Sequence, residues 1–266
     1  MSITLSAGEL LVAAALCKKA KLYAIADEFA GLPPAQRSAA IQKTKDGLWE
    51  KRLLSMDFDG NTTLDGEVRQ AVLFCTECSR YLSVVSRSRD AGMSRLIVWK
   101  RGDRFLLADV RNKTYRLSVL RRGEVEKRLL RSIPWSGKSR PEKTTKLTQT
   151  ALKKAKRCAK SNDPGAAALL LRRQGADEDA SRIIANALLE NTSVFSVITV
   201  DQTVQPPVCG HCMFSVDGEG YLLIEPAMED YRSAAAFADI PEQRLKERLF
   251  ALLDGFFSGG GAADEA

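Results

Sequence analysis

The chain contains a single histidine, His211, among 266 residues. That scarcity argues against most Ser–His and Cys–His mechanisms, which need an imidazole held beside the nucleophile. No glycine-rich phosphate loop occurs. Asp217-Gly-Glu-Gly220 is instead the turn between two predicted strands, where glycine supplies positive φ. No Gly-x-Ser-x-Gly motif or paired-carboxylate spacing stands out. No apolar run approaches the roughly 18 residues that a bilayer span requires. Near the N-terminus, Leu10 to Cys17 is preceded by Glu9 and followed by Lys18 and Lys19, the reverse of secretory-leader polarity. These absences point to a cytoplasmic, non-catalytic protein without a cofactor.

What is present is an ordinary globular composition, 45% hydrophobic and 27% charged, which excludes wholesale disorder. The length allows one large domain or two small ones. The net charge of +7 is unevenly spread. Between Ser136 and Asn162, nine basic residues (Lys138, Arg140, Lys143, Lys146, Lys153, Lys154, Lys156, Arg157 and Lys160) face one acid, Glu142. That stretch is +8, so the rest of the chain sums to −1.

Hydrophobic periodicity gives the expected elements. Ser6-Ala-Gly-Glu9 reads as a capping box opening a helix that runs to Cys17. A second helical pattern runs from Pro34 to Met56, interrupted near Asp46-Gly47, and Asp57–Asn61 is a turn. From Glu67 a helix carries Val68, Ala71, Val72 and Cys75 on one face. Strands follow at 81–87, 95–101, 104–111 and 114–119, then a helix around 123–131. After the basic segment the order repeats. Asp163 caps a helix with Pro164 at its first position, Glu178–Glu190 is helical, and strands follow at 194–200, 208–216, 221–225 and 232–237. A helix from Pro241 to Phe256 closes the unit. Phe105-Leu106-Leu107 matches Tyr221-Leu222-Leu223, Leu129 matches Leu245, Leu53-Leu54 matches Leu170-Leu171, and the helix at Glu67 matches that at Glu178. The expected fold is α+β: two pseudo-repeated halves, each an antiparallel meander flanked by helices, around a shared central sheet. The expected boundaries are 1–135, a basic helical linker at 136–162, 163–257, and a disordered tail at 258–266.

Two CxxC pairs, Cys75/Cys78 and Cys209/Cys212, raise metal and dithiol chemistry. They lie about 130 residues apart, Cys75 is on a core face, and Cys209-Cys212 sits in a strand pattern and not at a helix N-terminus. Buried structural thiols are favoured and no metal is assigned; Cys209 and Cys212 are the pair to test first. Asp57-Phe-Asp59-Gly-Asn61 resembles the start of a calcium loop. The positions that need glycine and a bidentate glutamate hold Thr62 and Val68, so a connection between helices is favoured.

The basic segment could contact phosphates, face an acidic partner, or act as a solvated linker. No aromatic residue falls between Trp135 and Phe195, which removes the stacking that single-strand binding uses. Lys153, Lys154, Lys156, Arg157 and Lys160 surround much of a helix whose modest apolar side is Leu152, Ala155 and Ala159. A solvated or partner-facing linker is favoured, and nucleic-acid or anionic-surface binding through Lys143, Lys146, Lys153, Lys154 and Arg157 is the alternative.

Three stretches carry a family resemblance: Leu53-Leu-Ser-Met-Asp-Phe-Asp-Gly60 followed by Leu64-Asp65 and a helix; Val98-Trp-Lys-Arg-Gly-Asp-Arg-Phe-Leu-Leu-Ala-Asp-Val-Arg111; and Phe214-Ser-Val-Asp-Gly-Glu-Gly-Tyr-Leu222. With Leu169–Gly175 and the duplicated layout, they make the chain resemble the EspG family of ESX (type VII) secretion-associated proteins from about Leu48 to Asp254. The resemblance implies a cytosolic chaperone that shields the apolar tip of helical clients, WXG100- or PPE-like, before export. The implied contact is the loop Ser86–Ser94 with the exposed sheet and a carboxy-terminal helical bundle. Arg87, Arg89 and Arg95 would face an acidic partner, Asp90 lies in the same loop, and Met93 would give an adaptable apolar contact.

Overall fold

The computed structural model describes residues 2–88, 90, 92–133, 135, 137–138, 143–158, 163–189, 192–217, 219–229 and 232–258. In the first half, β1 (Ser2–Ser6), α1 (Ala7–Leu16) and α2 (Pro34–Glu50) precede a small ribbon, β2 (Leu54–Met56) and β3 (Thr62–Leu64). Then come α3 (Gly66–Glu77), the meander β4 (Arg80–Ser88), β5 (Gly92–Arg101), β6 (Arg104–Arg111) and β7 (Thr114–Leu120), and α4 (Arg122–Arg131). The second half repeats that order without the ribbon. It runs β8 (Thr144–Thr148), α5 (Gln149–Cys158), α6 (Pro164–Arg172), α7 (Glu178–Leu188), β9 (Ser193–Asp201), β10 (Val208–Asp217), β11 (Gly220–Glu229), β12 (Arg232–Ile240) and α8 (Glu242–Ser258).

All strands except β2 and β3 form one antiparallel sheet in the order β1-β7-β6-β5-β4-β9-β10-β11-β12-β8. The halves meet at the centre, where β4 pairs antiparallel with β9 from Arg80 opposite Asp201 to Arg87 opposite Val194. Each half folds its opening strand back onto its closing strand, β1 on β7 and β8 on β12. The expected α+β fold with two repeated halves around one shared sheet is therefore what the chain adopts.

Strand alternation distributes the core. On one face, Phe105, Leu107, Phe214, Tyr221 and Leu223 pack under α4 and α8, with Leu129 and Leu245 in the same core. On the other face the helices form two separate packs. In the first half, Ile97, Trp99, Leu106 and Leu117 are covered by Leu10, Ala13, Val68 and Val72 of α1 and α3. In the second, Leu222, Ala235 and Phe237 are covered by Leu152, Ala167, Leu171 and Ile184 of α5, α6 and α7. The matches Phe105–Tyr221, Leu106–Leu222 and Leu129–Leu245 thus hold in three dimensions. Gly210 lets α8 lie close to the sheet: a Cβ there would sit 2.5 Å from Leu252 Cδ1 and 2.6 Å from Thr199 Oγ1.

Local signals explain most helix starts. Ser6 Oγ accepts from the Glu9 amide at 3.1 Å and Glu9 accepts from the Ser6 amide at 2.7 Å, the expected capping box. Asp163 and Asp177 cap α6 and α7 through their carboxylates. Three expectations need correction. The second helical pattern stops at Glu50, because Arg52 adopts φ 58° and turns the chain into β2. It is also continuous through Gly47, since burial of the adjacent Leu48 offsets a glycine cost of about 1 kcal/mol. Asp57–Asn61 joins two strands and not two helices: Asp57 Oδ1 accepts from the amides of Asp59 (3.0 Å) and Asn61 (2.7 Å), and Gly60 takes φ 80°.

A fourth correction concerns the basic segment. Residues 144–158 are not a connection outside the halves. They form β8 and α5, the counterparts of β1 and α1, with Thr148 Oγ1 accepting from the Ala151 amide at 3.2 Å where Ser6 caps α1. Leu147, Ala151, Leu152 and Ala155 are buried, so a short apolar stripe was enough to dock a strongly cationic helix. Lys138 and Lys143 are described, while Arg140, Glu142 and Lys160 fall outside the described residues, as do residues 259–266 of the expected tail.

The open end of the central seam is closed by charge. Arg80 donates through Nε (2.8 Å) and Nη2 (2.5 Å) to Asp201 Oδ2 across the seam, and through Nη1 to the Gly255 carbonyl at 3.2 Å. Lys100 Nζ donates to the Phe257 carbonyl at 2.7 Å. Two cations of the first half thus sit on the carbonyl-rich end of α8, where the helix dipole favours them. Burial disfavours the Asp201 carboxylate, yet hydrogen bonds from Arg80 and Thr203 outweigh it and hold the pKa below the ordinary aspartate value. A carboxyl depressed on folding stabilises above its unfolded pKa, and that contribution disappears as pH falls through the folded pKa. Arg80→Ala is expected to lower unfolding free energy by about 2 kcal/mol in urea denaturation at neutral pH. Asp201→Asn should flatten the loss of stability that the parent protein shows below about pH 4.

Candidate functional site

The two helix packs on one face of the sheet leave an uncovered strip between them, over the strands that form the seam. Register fixes which side chains lie there. Val85 is opposite Arg95 on β5 and Ser196 on β9, Arg87 is opposite Met93 and Val194, and Ser83 is opposite Ile97 and Ile198. Met213 on β10 continues the row beside Ser196. Val85, Val194, Ile198 and Met213 are half-buried, Arg87 is exposed, and Met93 is 63% exposed. One wall of the strip rises as α5 and α7, enclosing a cavity of about 410 Å³ whose lining includes Leu152, Lys156 and Leu188 as well as the floor. A groove of this size with a β-branched floor and few polar groups can take apolar side chains from a partner.

Polar groups on the same face are mostly spoken for. Arg95 Nε donates to Ser83 Oγ at 3.0 Å, and Ser196 Oγ lies 3.3 Å from His211 Nε2. Burial first, and the neighbouring Cys209 and Cys78 next, raise the Tyr81 phenol above its ordinary pKa. The Ser196–His211 contact is a hydroxyl–imidazole pair lying on the exposed strand surface.

The structure brings some of the sequence-derived residues together and scatters others. Arg87, Met93 and Arg95 share the groove face, and Arg87 and Lys156 line the same cavity. Asp90 is exposed in the turn between β4 and β5, and Arg89 lies outside the described residues. Lys153, Lys154 and Arg157 are exposed on α5, Lys146 is exposed on β8, and Lys143 Nζ stands 3.7 Å from Asp177 Oδ2. Val85, Val194, Ile198 and Met213 escaped sequence reasoning. Their only signal was that β4 and β9 are apolar on both faces, which reads equally as a strand covered on both sides.

The Cys209/Cys212 pair does not form a chelating site of the CxxC kind. Cys209 and Cys212 are three apart on a strand, so they point to opposite faces, one exposed and one buried. Among the described residues no group of three His, Cys, Asp or Glu side chains could hold a metal. Burial raises the thiol pKa of Cys75 well above its ordinary value, that of Cys78 to about 12 and that of Cys212 to about 11.

With the groove and its two flanking packs defined, the chain falls into a class: a duplicated α+β protein whose single antiparallel sheet is built across a pseudo-two-fold seam. One solved structure with this fold is that of the Mycobacterium tuberculosis type VII secretion system chaperone EspG5 in complex with a PE25–PPE41 dimer. It aligns with 96% of this chain and 97% of its own, at a TM-score of 0.59 and 10% identity. The likeness is one of fold, and it agrees with the EspG resemblance read from the sequence. No family model matches the chain, and no curated protein matches its sequence. Among the described residues, no helix is long and apolar enough to cross a membrane.

Titration with a thiol-specific reagent at pH 8 should separate the cysteines. Cys158 and Cys209 are expected to react within the mixing phase, whereas Cys75, Cys78 and Cys212 should react only when the protein is unfolded. Rapid labelling of Cys75 in the native protein would contradict the buried-thiol assignment.

Proposed function

We propose that the protein is a cytoplasmic, non-catalytic chaperone or adaptor of a type VII secretion system, which sequesters the apolar tip of a helical client in the central groove. The observation that carries this reading is the half-buried row Val85, Val194, Ile198 and Met213, left bare between two helix packs on an otherwise covered sheet. The fold shared with EspG5, itself solved with a PE25–PPE41 dimer, supports a client of that kind for the row. WXG100- or PPE-like proteins are the proposed clients. Met93 supplies an adaptable contact at the mouth of the groove, Arg87 and Arg95 border it, Asp90 lies in the turn beside it, and Arg89, outside the described residues, is proposed with them. Client release requires only that the export machinery compete for the same apolar tip.

The reading is tested by co-expression with WXG100- and PPE-type proteins of the native host, followed by gel filtration and titration calorimetry. A stoichiometric complex is expected, weakened ten-fold or more by Ile198→Asp, which places a charge on the apolar floor. Its affinity should change little when salt is raised. The cationic face of α5 supports nucleic-acid binding as a second reading. Under that reading, binding of duplex or single-stranded oligonucleotides would fall steeply with salt and be lost in Lys153→Glu/Lys154→Glu/Arg157→Glu, while Ile198→Asp would be silent.

A further inference from the structure

The ribbon β2–β3 ends in a side chain that touches nothing: Phe58 is fully exposed, at 110% of its reference accessibility, and the adjoining Met56 is 63% exposed. An aromatic ring held wholly in water at a tight turn is uncommon, and here the turn is braced. Asp57 accepts from two backbone amides and from Asn61 Nδ2 (3.3 Å), and its own amide donates to the Asn61 carbonyl at 2.9 Å. The ring is therefore presented on a pre-ordered support, which lowers the entropic cost of docking it. Asp57 and Asp59 flank it, so an anionic membrane surface would repel the tip.

A receptor of matching chemistry exists on the same chain. A cavity of about 420 Å³ opens between α1, α2 and the segment that joins them. Its floor includes Leu11, Leu16 and Ile41, the last two 37% exposed. Its rim carries Lys19, Lys21, Arg37, Lys45 and the acid Asp27; Lys19 pairs with Glu77 at 2.5 Å and Arg37 stands 3.6 Å from Asp27, so Lys21 and Lys45 are the rim cations placed to meet an incoming carboxylate. An apolar floor with a cationic rim complements an aromatic ring flanked by two carboxylates. The central groove is a poorer match, since only Arg87 and Lys156 among its lining residues are charged.

We infer that the protein self-associates, with Phe58 of one copy seated in the α1–α2 cavity of a second copy and Asp59 facing the lysine rim. The contact is small, so association is expected to be weak and concentration-dependent, and to respond to salt because its rim is exposed. The inference is independent of the chaperone reading, because neither motif lies on the groove.

Sedimentation equilibrium on the full chain tests it. The parent protein should show a concentration-dependent mass above that of one chain, and Phe58→Ser should weaken association roughly ten-fold or more, as truncating an aromatic anchor does. Because Phe58 touches nothing, that variant folds as the parent does. Lys21→Glu/Lys45→Glu should also weaken association, and mixing that variant with Asp59→Lys should restore it. A photo-reactive benzoylphenylalanine replacing Phe58 should cross-link to α1 or α2 of another copy. A monomer at every concentration up to the solubility limit, association unchanged by Phe58→Ser, or cross-links confined to the central groove would each overturn the inference.

Discussion

The β4–β9 ladder is the interaction on which the rest of the molecule depends. Without it each half would be a four-strand meander with an added edge strand, a bare inner edge and an apolar underside. With it, ten strands become one sheet and the underside becomes a single core roofed by α4 and α8. Tight contacts then reinforce the seam from the second half's last helix. Gly210 admits α8 against β10, and Arg80 and Lys100 hold the far end of that helix from the other half. The groove is a by-product of the same arrangement. Each half covers the upper face of its own outer strands with three helices, and the two packs do not meet over the centre.

Much of the fold was legible because its signals are local. The Ser6–Glu9 box, Asp163-Pro164, the alternation of Tyr115 and Leu117 with Arg116, and the four-strand order in each half all follow from backbone hydrogen bonding and strand period. Short strands paired at long range were not legible. β1 and β8 are five residues each, and their partners lie a hundred residues away; only tertiary pairing distinguishes them from the entry to a helix. The groove shares this limit. Sequence says that β4 and β9 are apolar on both faces, but only the placement of the helix packs says which face lacks a cover.

The basic segment shows how composition misleads about position. Its charge suggested solvent, and α5 does turn four cations outward. Yet Leu147, Leu152 and Ala155 occupy places matching Leu5, Leu10 and Ala13 of the first half, where the same positions belong to an almost uncharged helix. The buried positions of the two halves correspond while their outer faces differ in charge, and the counterpart of β1 is β8, which starts at Thr144. Four of the nine cations between Ser136 and Asn162 lie on the exposed side of this one docked helix.

The central ladder also governs the order of events during synthesis. β4 leaves the ribosome more than a hundred residues before β9. Until then the nascent chain carries an unpaired inner strand edge, along with the apolar underside of Leu82, Val84, Phe105 and Leu107 that α8, made later still, will cover. Open strand edges of this kind pair with whatever chain is nearby. The stage most exposed to aggregation is therefore a half-made chain, and holding it soluble during translation is a requirement that a folded chain no longer has.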